Sequence, residues 1–297
     1  MEEEVKVAGE TVGLYLRRQR EKEGAKPTAC GTPLRGSEAY GCARKIALRI
    51  AGIPEAHEPN NETLLAFKLG NTMHELLQES MHALWSGSFD SEVVVDLRPL
   101  GFDMSGHADG LYTCGDKELV LEIKTMSSFG FKLALKSNKP KIEHLCQAAI
   151  YACGLGATSV HLVYICKEGS YRDGVKPGQM LEWRYDLTDD FEGQTVEQIA
   201  MAELWRQQEI VDAVEAGRIP ERTVWDDKVN EFVVVDSPPP YQGKGQPWNC
   251  RYCEHRDNCA PLPTHEVSVA LATPFIKHHW GGVDVAVEQE EGTQSGA

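Results

Sequence analysis

The sequence contains no run approaching the roughly 18 apolar residues that a membrane-crossing helix requires, so no spanning segment is expected. It has no internal repeat, which sets aside solenoids and propellers. Its start, Met1-Glu2-Glu3-Glu4-Val5-Lys6, is acidic and lacks an apolar core, so the expectation is a cytoplasmic protein without a secretory signal. Positive charge is also scarce. Lys and Arg number 30 against 45 Asp and Glu, a formal net charge of −15. That balance speaks against avid, sequence-independent binding of nucleic acid, which depends on cations neutralising phosphates. The 9 cysteines are an odd number, and in a cytoplasmic chain they point to ligand or core roles rather than a disulfide framework.

What is present is an ordinary globular composition, 41% hydrophobic and 25% charged, over 297 residues. That length can bury one sizeable core, and one structural domain is expected. Charge is segregated. Between Ile123 and Ile142 stand Lys124, Lys132, Lys136, Lys139 and Lys141 with no acid, and Arg44, Lys45 and Arg49 form a second basic cluster. Residues 1–60 read as short helices, with one at Gly41–Ala51. A core follows at 61–240, then a cysteine-bearing segment at 241–263 and a tail at 264–297, expected to be partly disordered. Leu65, Leu69, Met73, Leu76, Ser80 and Leu84 recur at helical spacing and predict a helix over Glu62–Trp85. Strands are expected at Glu92–Leu97, Phe102–Tyr112, Glu118–Thr125, Val160–Lys167, Glu182–Leu187 and Val229–Asp236. Helices are expected at Lys141–Leu155 and Thr195–Ala216, and the lysine-rich stretch 132–141 reads as a loop. The fold class is α/β, a small mixed central sheet flanked by helices.

The most informative segment is Gly106-His-Ala-Asp109-Gly110, followed by Cys114-Gly115-Asp116 and Leu121-Glu122-Ile123-Lys124. A tight turn at Gly115-Asp116 makes facing residue numbers sum to 231. Asp109 then opposes Glu122, and strand alternation adds Lys124 to the same face, with Leu121 and Ile123 turned to the core. Two opposed carboxylates repel unless a cation lies between them. A Mg²⁺ or Mn²⁺ ion suits such oxygens. A solvent-exposed hairpin with a Glu/Lys/Asp surface is the competing reading.

Gly70-Asn-Thr-Met-His74 sets a glycine and an imidazole one turn apart on a helix face, and Gln147-Ala-Ala-Ile-Tyr151 does the same for an amide and a phenol. Each has a bland alternative in surface or core packing. Cys250-Arg-Tyr-Cys253, then Cys259 six residues on, is too dense in thiols for simple packing. A fourth ligand would come from Cys42, with Cys30 as the competitor. Zinc and a [4Fe-4S] cluster both accept four cysteines, and the spacing does not choose. Cys114, Cys146, Cys153 and Cys166 read as structural.

Taken in order, Cys42-Ala-Arg-Lys45, Gly70–His74, Gly106–Asp109, Glu122–Lys124, Gln147–Tyr151 and Cys250–Cys259 resemble the PD-(D/E)XK superfamily nucleases, in the RecB-like iron–sulfur exonuclease subgroup. That subgroup includes CRISPR-associated RecB-like exonucleases and phage relatives. The six motifs span about Tyr40 to Pro261. Ala43 stands where that family often has proline. The resemblance implies a restriction-endonuclease-like core with an iron–sulfur clasp joining the N- and C-terminal segments. It implies that His74, Asp109, Glu122 and the backbone of Ile123 hold the Mg²⁺ or Mn²⁺. Lys124 would position or activate water, with Gln147 and Tyr151 supporting the site. It also implies that Cys42, Cys250, Cys253 and Cys259 hold a [4Fe-4S] cluster rather than zinc. The activity implied is a metal-dependent DNA exonuclease, with single-stranded DNA preferred over double-stranded. Its implied setting is recombination, repair or CRISPR spacer acquisition, alongside recombination or CRISPR-adaptation proteins and away from membranes. Arg44, Lys45, Lys132, Lys136, Lys139 and Lys141 are the expected DNA contacts. A non-catalytic nucleic-acid-binding adaptor with a structural metal cluster is the alternative.

Overall fold

The computed structural model describes residues 11–19, 22, 33–53, 55, 59–235, 250 and 253–272. A five-stranded mixed sheet lies at the centre, in the order β1 (Phe89–Asp96), β2 (Ser105–Cys114), β3 (Lys117–Met126), β4 (Ser159–Cys166) and β5 (Met180–Asp186). Strands β1 to β3 form an antiparallel meander, β3 and β4 run parallel, and β5 returns antiparallel. All eight positions of β4 are buried, as expected for a strand covered on both faces, Ser159 and His161 among them. Among the described residues, no helix is long and apolar enough to cross a membrane.

Helix α1 (Ala43–Ile50) lies ahead of the sheet, and α2 (Asn61–Leu84) covers one face of it. The Asn60 side chain caps α2 by accepting the Thr63 N–H. Met73, Leu77 and Met81 pack on Phe89, Tyr112, Leu121, Ile123 and Val163. Of the residues the apolar spacing singled out, Met73 lies in this row. Leu65, Leu69, Leu76 and Leu84 are exposed. The helix carries two apolar rows, and the buried one includes Gly70, whose missing side chain lets β3 approach. A Cβ there would sit 3.2 Å from Thr125 Oγ1.

The other sheet face is covered by α4 (Ile142–Leu155) and α5 (Val196–Glu215), which pack over Val95, Met104, Ala108, Val120, Val160 and Leu162. Between β3 and α4 the chain forms α3 (Ser128–Ser137), capped by Ser127, so Lys132 and Lys136 are helical and not part of a loop.

Beyond α5, β6 (Arg218–Ile219) pairs with β7 (Val267–Ser268). The expected partly disordered tail is therefore ordered through its first residues. Val267 is buried beside Ile219 and Leu262, and Glu266 pairs with Arg218. The remainder, 273–297, lies outside the described residues, as do the Ser237–Pro240 connection and Cys30.

Candidate active site

The site is built on the β2–β3 hairpin. Its turn is the two-residue connection foreseen, with Gly115 at φ +67°, where glycine adopts the left-handed region without strain. Pairing runs from Cys114↔Lys117 to Gly110↔Leu121, the register expected. There the strands part. The Asp109 carboxylate takes over, with Oδ2 accepting the Ile123 N–H at 2.6 Å.

At the same row β2 changes face. Tyr112 and Gly110 lie with Phe89 under α2, whereas Ala108 and Gly106 lie under α4. Simple alternation would have kept these even-numbered residues together. The opposing strand shows the cause. Glu92, across from Asp109 between the pairs Ser91↔Gly110 and Val93↔Ala108, has φ +52°. A non-glycine residue in that region costs about 1–2 kcal/mol and persists where its surroundings enforce it. Here Gln78 does so. Its buried amide donates to Glu92 Oε1 and to the Asp109 carbonyl, both at 2.8 Å. One turn earlier on α2, His74 Nδ1 lies 3.4 Å from Asp109 Oδ1. Asp109 is thus held by α2 at both its carbonyl and its carboxylate. Replacing Gln78 by Leu is expected to lower stability by about 1–3 kcal/mol, as both acceptors lose a buried partner. Thermal denaturation of the purified variant checks this.

Glu122 and Lys124 face α4. Lys124 Nζ bridges Glu122 Oε1 at 2.5 Å and Gln147 Oε1 at 3.0 Å. Glu122 is 1% exposed, and its Oε2 is buried without a hydrogen-bond partner. Its carboxyl stands raised at about 7, chiefly through burial, with the Lys124 charge pulling it down and the Asp109 charge pushing it up. Burial alone would lower Lys124, but the Glu122 charge and hydrogen bond outweigh it and raise the lysine above its ordinary range. Lys124 is therefore a fixed cation, suited to positioning water by its charge and not to taking a proton from it.

Tyr151 is buried in a slot made by two glycines. A Cβ at Gly36 would lie 2.6 Å from its Cε1, and one at Gly106 would lie 3.2 Å from its Oη. The two motifs that contain Gly106 and Tyr151 thus touch one another.

The donor set, Asp109, Glu122 with an orphaned oxygen, His74 and the nearby backbone of Ile123, has the chemistry a hard dication takes. It is not a preformed cage. Among the described residues, no three His, Cys, Asp or Glu side chains are arranged to hold a metal ion as they stand.

The second expected centre brings Cys42 from the start of α1 to the C-terminal thiols. Cys42 senses the charge of Cys259, Cys250 that of Cys42 and Cys259, and Cys253 that of Cys42. Burial comes first in raising Cys42, Cys250 (to about 11) and Cys253 (to about 12), and the neighbouring thiols add to it. Around them stand two buried arginines. Arg44 is 0% exposed and donates to the carbonyls of Pro220, Pro263, Thr264 and His265. Arg222 is 2% exposed and donates to Cys259 Sγ at 3.0 Å and to the carbonyls of Cys259 and Leu262. Its Nη1 is buried without a partner. Neither guanidinium has a carboxylate partner among the described residues. Two buried, unpaired cations are costly unless an anion lies nearby. Four thiolates around a dication, or around a [4Fe-4S] core of charge +2, would carry −2 and balance them. The residues therefore fit such a centre by charge, but among the described residues no three of these thiols are arranged to hold a metal ion as they stand.

The expected DNA contacts fare less well. Arg44 is fully buried and unable to meet a ligand in solution. Lys45 pairs with Glu254 at 2.8 Å, and Lys141 with Glu143 at 2.9 Å. Lys132 pairs with Asp173 and Lys139 with Glu192. Lys136 has no acidic partner among the described residues.

No protein family matches the sequence, and no curated protein does. Solved structures similar to this chain include the crystal structure of SSO0001, at 17% identity over 84% of this chain and 96% of that one, with a TM-score of 0.47. They also include the alkaline exonuclease LHK-Exo from Laribacter hongkongensis, at 14% identity over 59% of this chain and 81% of that one, with a TM-score of 0.38. The same exonuclease in complex with dAMP matches at 16% identity over 59% and 82%, with a TM-score of 0.39. Likenesses this slight carry no argument about this chain, whose reading rests on its own residues.

Proposed function

We propose that this chain is a divalent-metal-dependent DNA nuclease of the PD-(D/E)XK type, acting as an exonuclease, with a separate structural [4Fe-4S] centre on Cys42, Cys250, Cys253 and Cys259. The observation that carries the reading is Glu122. A buried carboxylate with an orphaned oxygen, beside a second carboxylate and a lysine cation, asks for another positive centre. Asp109, Glu122, His74 and the Ile123 carbonyl would hold a Mg²⁺ or Mn²⁺ ion there. When bound, such an ion offsets charge building on the phosphate and makes water a better nucleophile.

The chain's own contributions follow from the geometry. Lys124 supplies a fixed positive charge for the phosphate, Gln147 keeps its ammonium directed into the site, and Gln78 holds Asp109. The ion-paired lysines argue against the adaptor alternative, which needs a standing cationic surface. Exposed pairs such as Lys132–Asp173 are worth about 1 kcal/mol or less, so a substrate phosphate can take the lysine over. Binding is accordingly weak and salt-sensitive.

The test is incubation with end-labelled single- and double-stranded DNA in Mn²⁺, Mg²⁺ or chelator. Cleavage from an end that stops in chelator, faster on single strands, is expected. Asp109→Ala should abolish it while the protein stays folded. Undiminished cleavage by that variant would remove the site from consideration. Protein purified anaerobically should be brown; a colourless protein with stoichiometric zinc would replace the cluster by zinc.

A further inference from the structure

Beside the candidate active site, α4 and β4 carry a pair of side chains with no part in it so far. His144 precedes Gln147 by three positions, so both project from one side of α4. Lys124 and Tyr164 are register partners on β3 and β4. Gln147 reaches Lys124, and His144 reaches Tyr164, one turn away on the same helix. His144 is half-buried, whereas Ile142, Leu145, Cys146 and Gln147 around it are buried.

Its Nδ1 lies 2.6 Å from Tyr164 Oη, and that oxygen also accepts the Lys141 backbone N–H at 2.9 Å. The phenol has one proton to give and no other acceptor among the described residues. It therefore donates to Nδ1, which leaves the proton of a neutral imidazole on Nε2. Burial, then the cations of Lys124 and Lys141, push His144 well below the ordinary histidine range, so the ring is neutral at pH 7.

We propose that His144 is a further substrate-binding residue, whose Nε2–H donates to an oxygen of the DNA phosphate held beside Lys124, with Tyr164 fixing the tautomer. The proposal rests on the nuclease reading and extends it. A neutral donor adds a hydrogen bond to the phosphate without adding a charge that would compete with Lys124 or a bound dication. Tyr164 acts as a positioning residue through His144.

The experiment compares wild type, His144→Ala, His144→Gln, Tyr164→Phe and the His144→Gln/Tyr164→Phe double variant on a single-stranded oligonucleotide in Mn²⁺. Loss of a hydrogen bond to a charged oxygen should lower kcat/KM of His144→Ala by about ten- to a hundredfold. His144→Gln, which has an amide donor of similar reach, should recover the greater part of that loss. Tyr164→Phe should slow the wild-type background and add nothing further to His144→Gln, since glutamine has no tautomer to fix. The nitrogen NMR signals of the His144 ring should show the proton on Nε2 and shift when the oligonucleotide binds. Equal cleavage by His144→Ala and wild type, a proton on Nδ1, or an equal Tyr164→Phe penalty in both backgrounds would overturn the proposal. If His144→Ala does not fold, the NMR signals and the double variant decide. Absence of cleavage by wild type would instead bring down the nuclease reading, and this inference with it.

Discussion

Glu122→Gln is expected to reduce DNA cleavage by about a thousandfold or more, in the range seen when a residue central to catalysis is removed. The change keeps the shape of the side chain and removes its charge, and the melting temperature of the variant separates this loss from loss of fold. A second effect separates this residue from a generic buried acid. The Glu122 carboxyl stands at about 7 in the folded chain against an ordinary 4.5. The folded state therefore holds this proton more tightly than the unfolded state between those values. Stability from this group is complete below about pH 4.5 and lost as the pH rises through about 7. The loss is on the order of 3 kcal/mol at 1.36 kcal/mol per unit. In chelator, wild type should lose melting temperature from pH 5 to pH 8 relative to Glu122→Gln. Added Mn²⁺ should restore it, most strongly at the higher pH. Parallel pH profiles for the two proteins in chelator would contradict the buried-carboxylate account.

Arg222→Met is expected to act with opposite sign on two forms of the protein. With a four-cysteine centre in place, the guanidinium would face a balancing anion at Cys259 Sγ, to which it already donates. Removing it should destabilise the loaded protein by about 3–5 kcal/mol, the usual cost of breaking a buried charge pair. Without the centre the raised thiols of Cys42, Cys250 and Cys253 remain protonated at pH 7, and both arginines are buried without a counter-charge. There the apolar methionine should relieve the chain and raise the melting temperature of the metal-stripped form. Melting curves of wild type and variant, loaded and stripped, provide the comparison. A loss of equal size in both forms would show that Arg222 serves packing alone and that charge balance does not describe this centre.

Much of the site was legible because it rests on local rules. A two-residue turn at Gly115-Asp116 fixes a register, and the register brings Asp109 towards Glu122 and Lys124. What eluded the sequence depends on contacts between distant segments. The apolar row of α2 could not be chosen from spacing, since Leu65, Leu69 and Leu76 match the period as well as Met73, Leu77 and Met81. Gln78, Glu92 and His144 are polar residues within regular elements, and nothing local distinguishes them from solvent-facing neighbours. A glutamine four residues after His74 is the one signal that could have suggested Gln78. The run of lysines misled for the same reason. Asp173 and Glu192, which neutralise Lys132 and Lys139, lie far along the chain. Arg44 looked available because sequence carries no record of burial, whereas the fold surrounds it with backbone carbonyls.

The grip of Arg44 on Pro220, Pro263, Thr264 and His265 sets where the protein can be shortened. Every candidate catalytic side chain lies between His74 and Tyr151, so a trimmed fragment looks sufficient on paper. Ending the chain before Pro263 would strip this guanidinium of three of its four carbonyl acceptors and leave it beside a second buried cation, Arg222. The minimal working unit is therefore set by a residue that never meets the substrate.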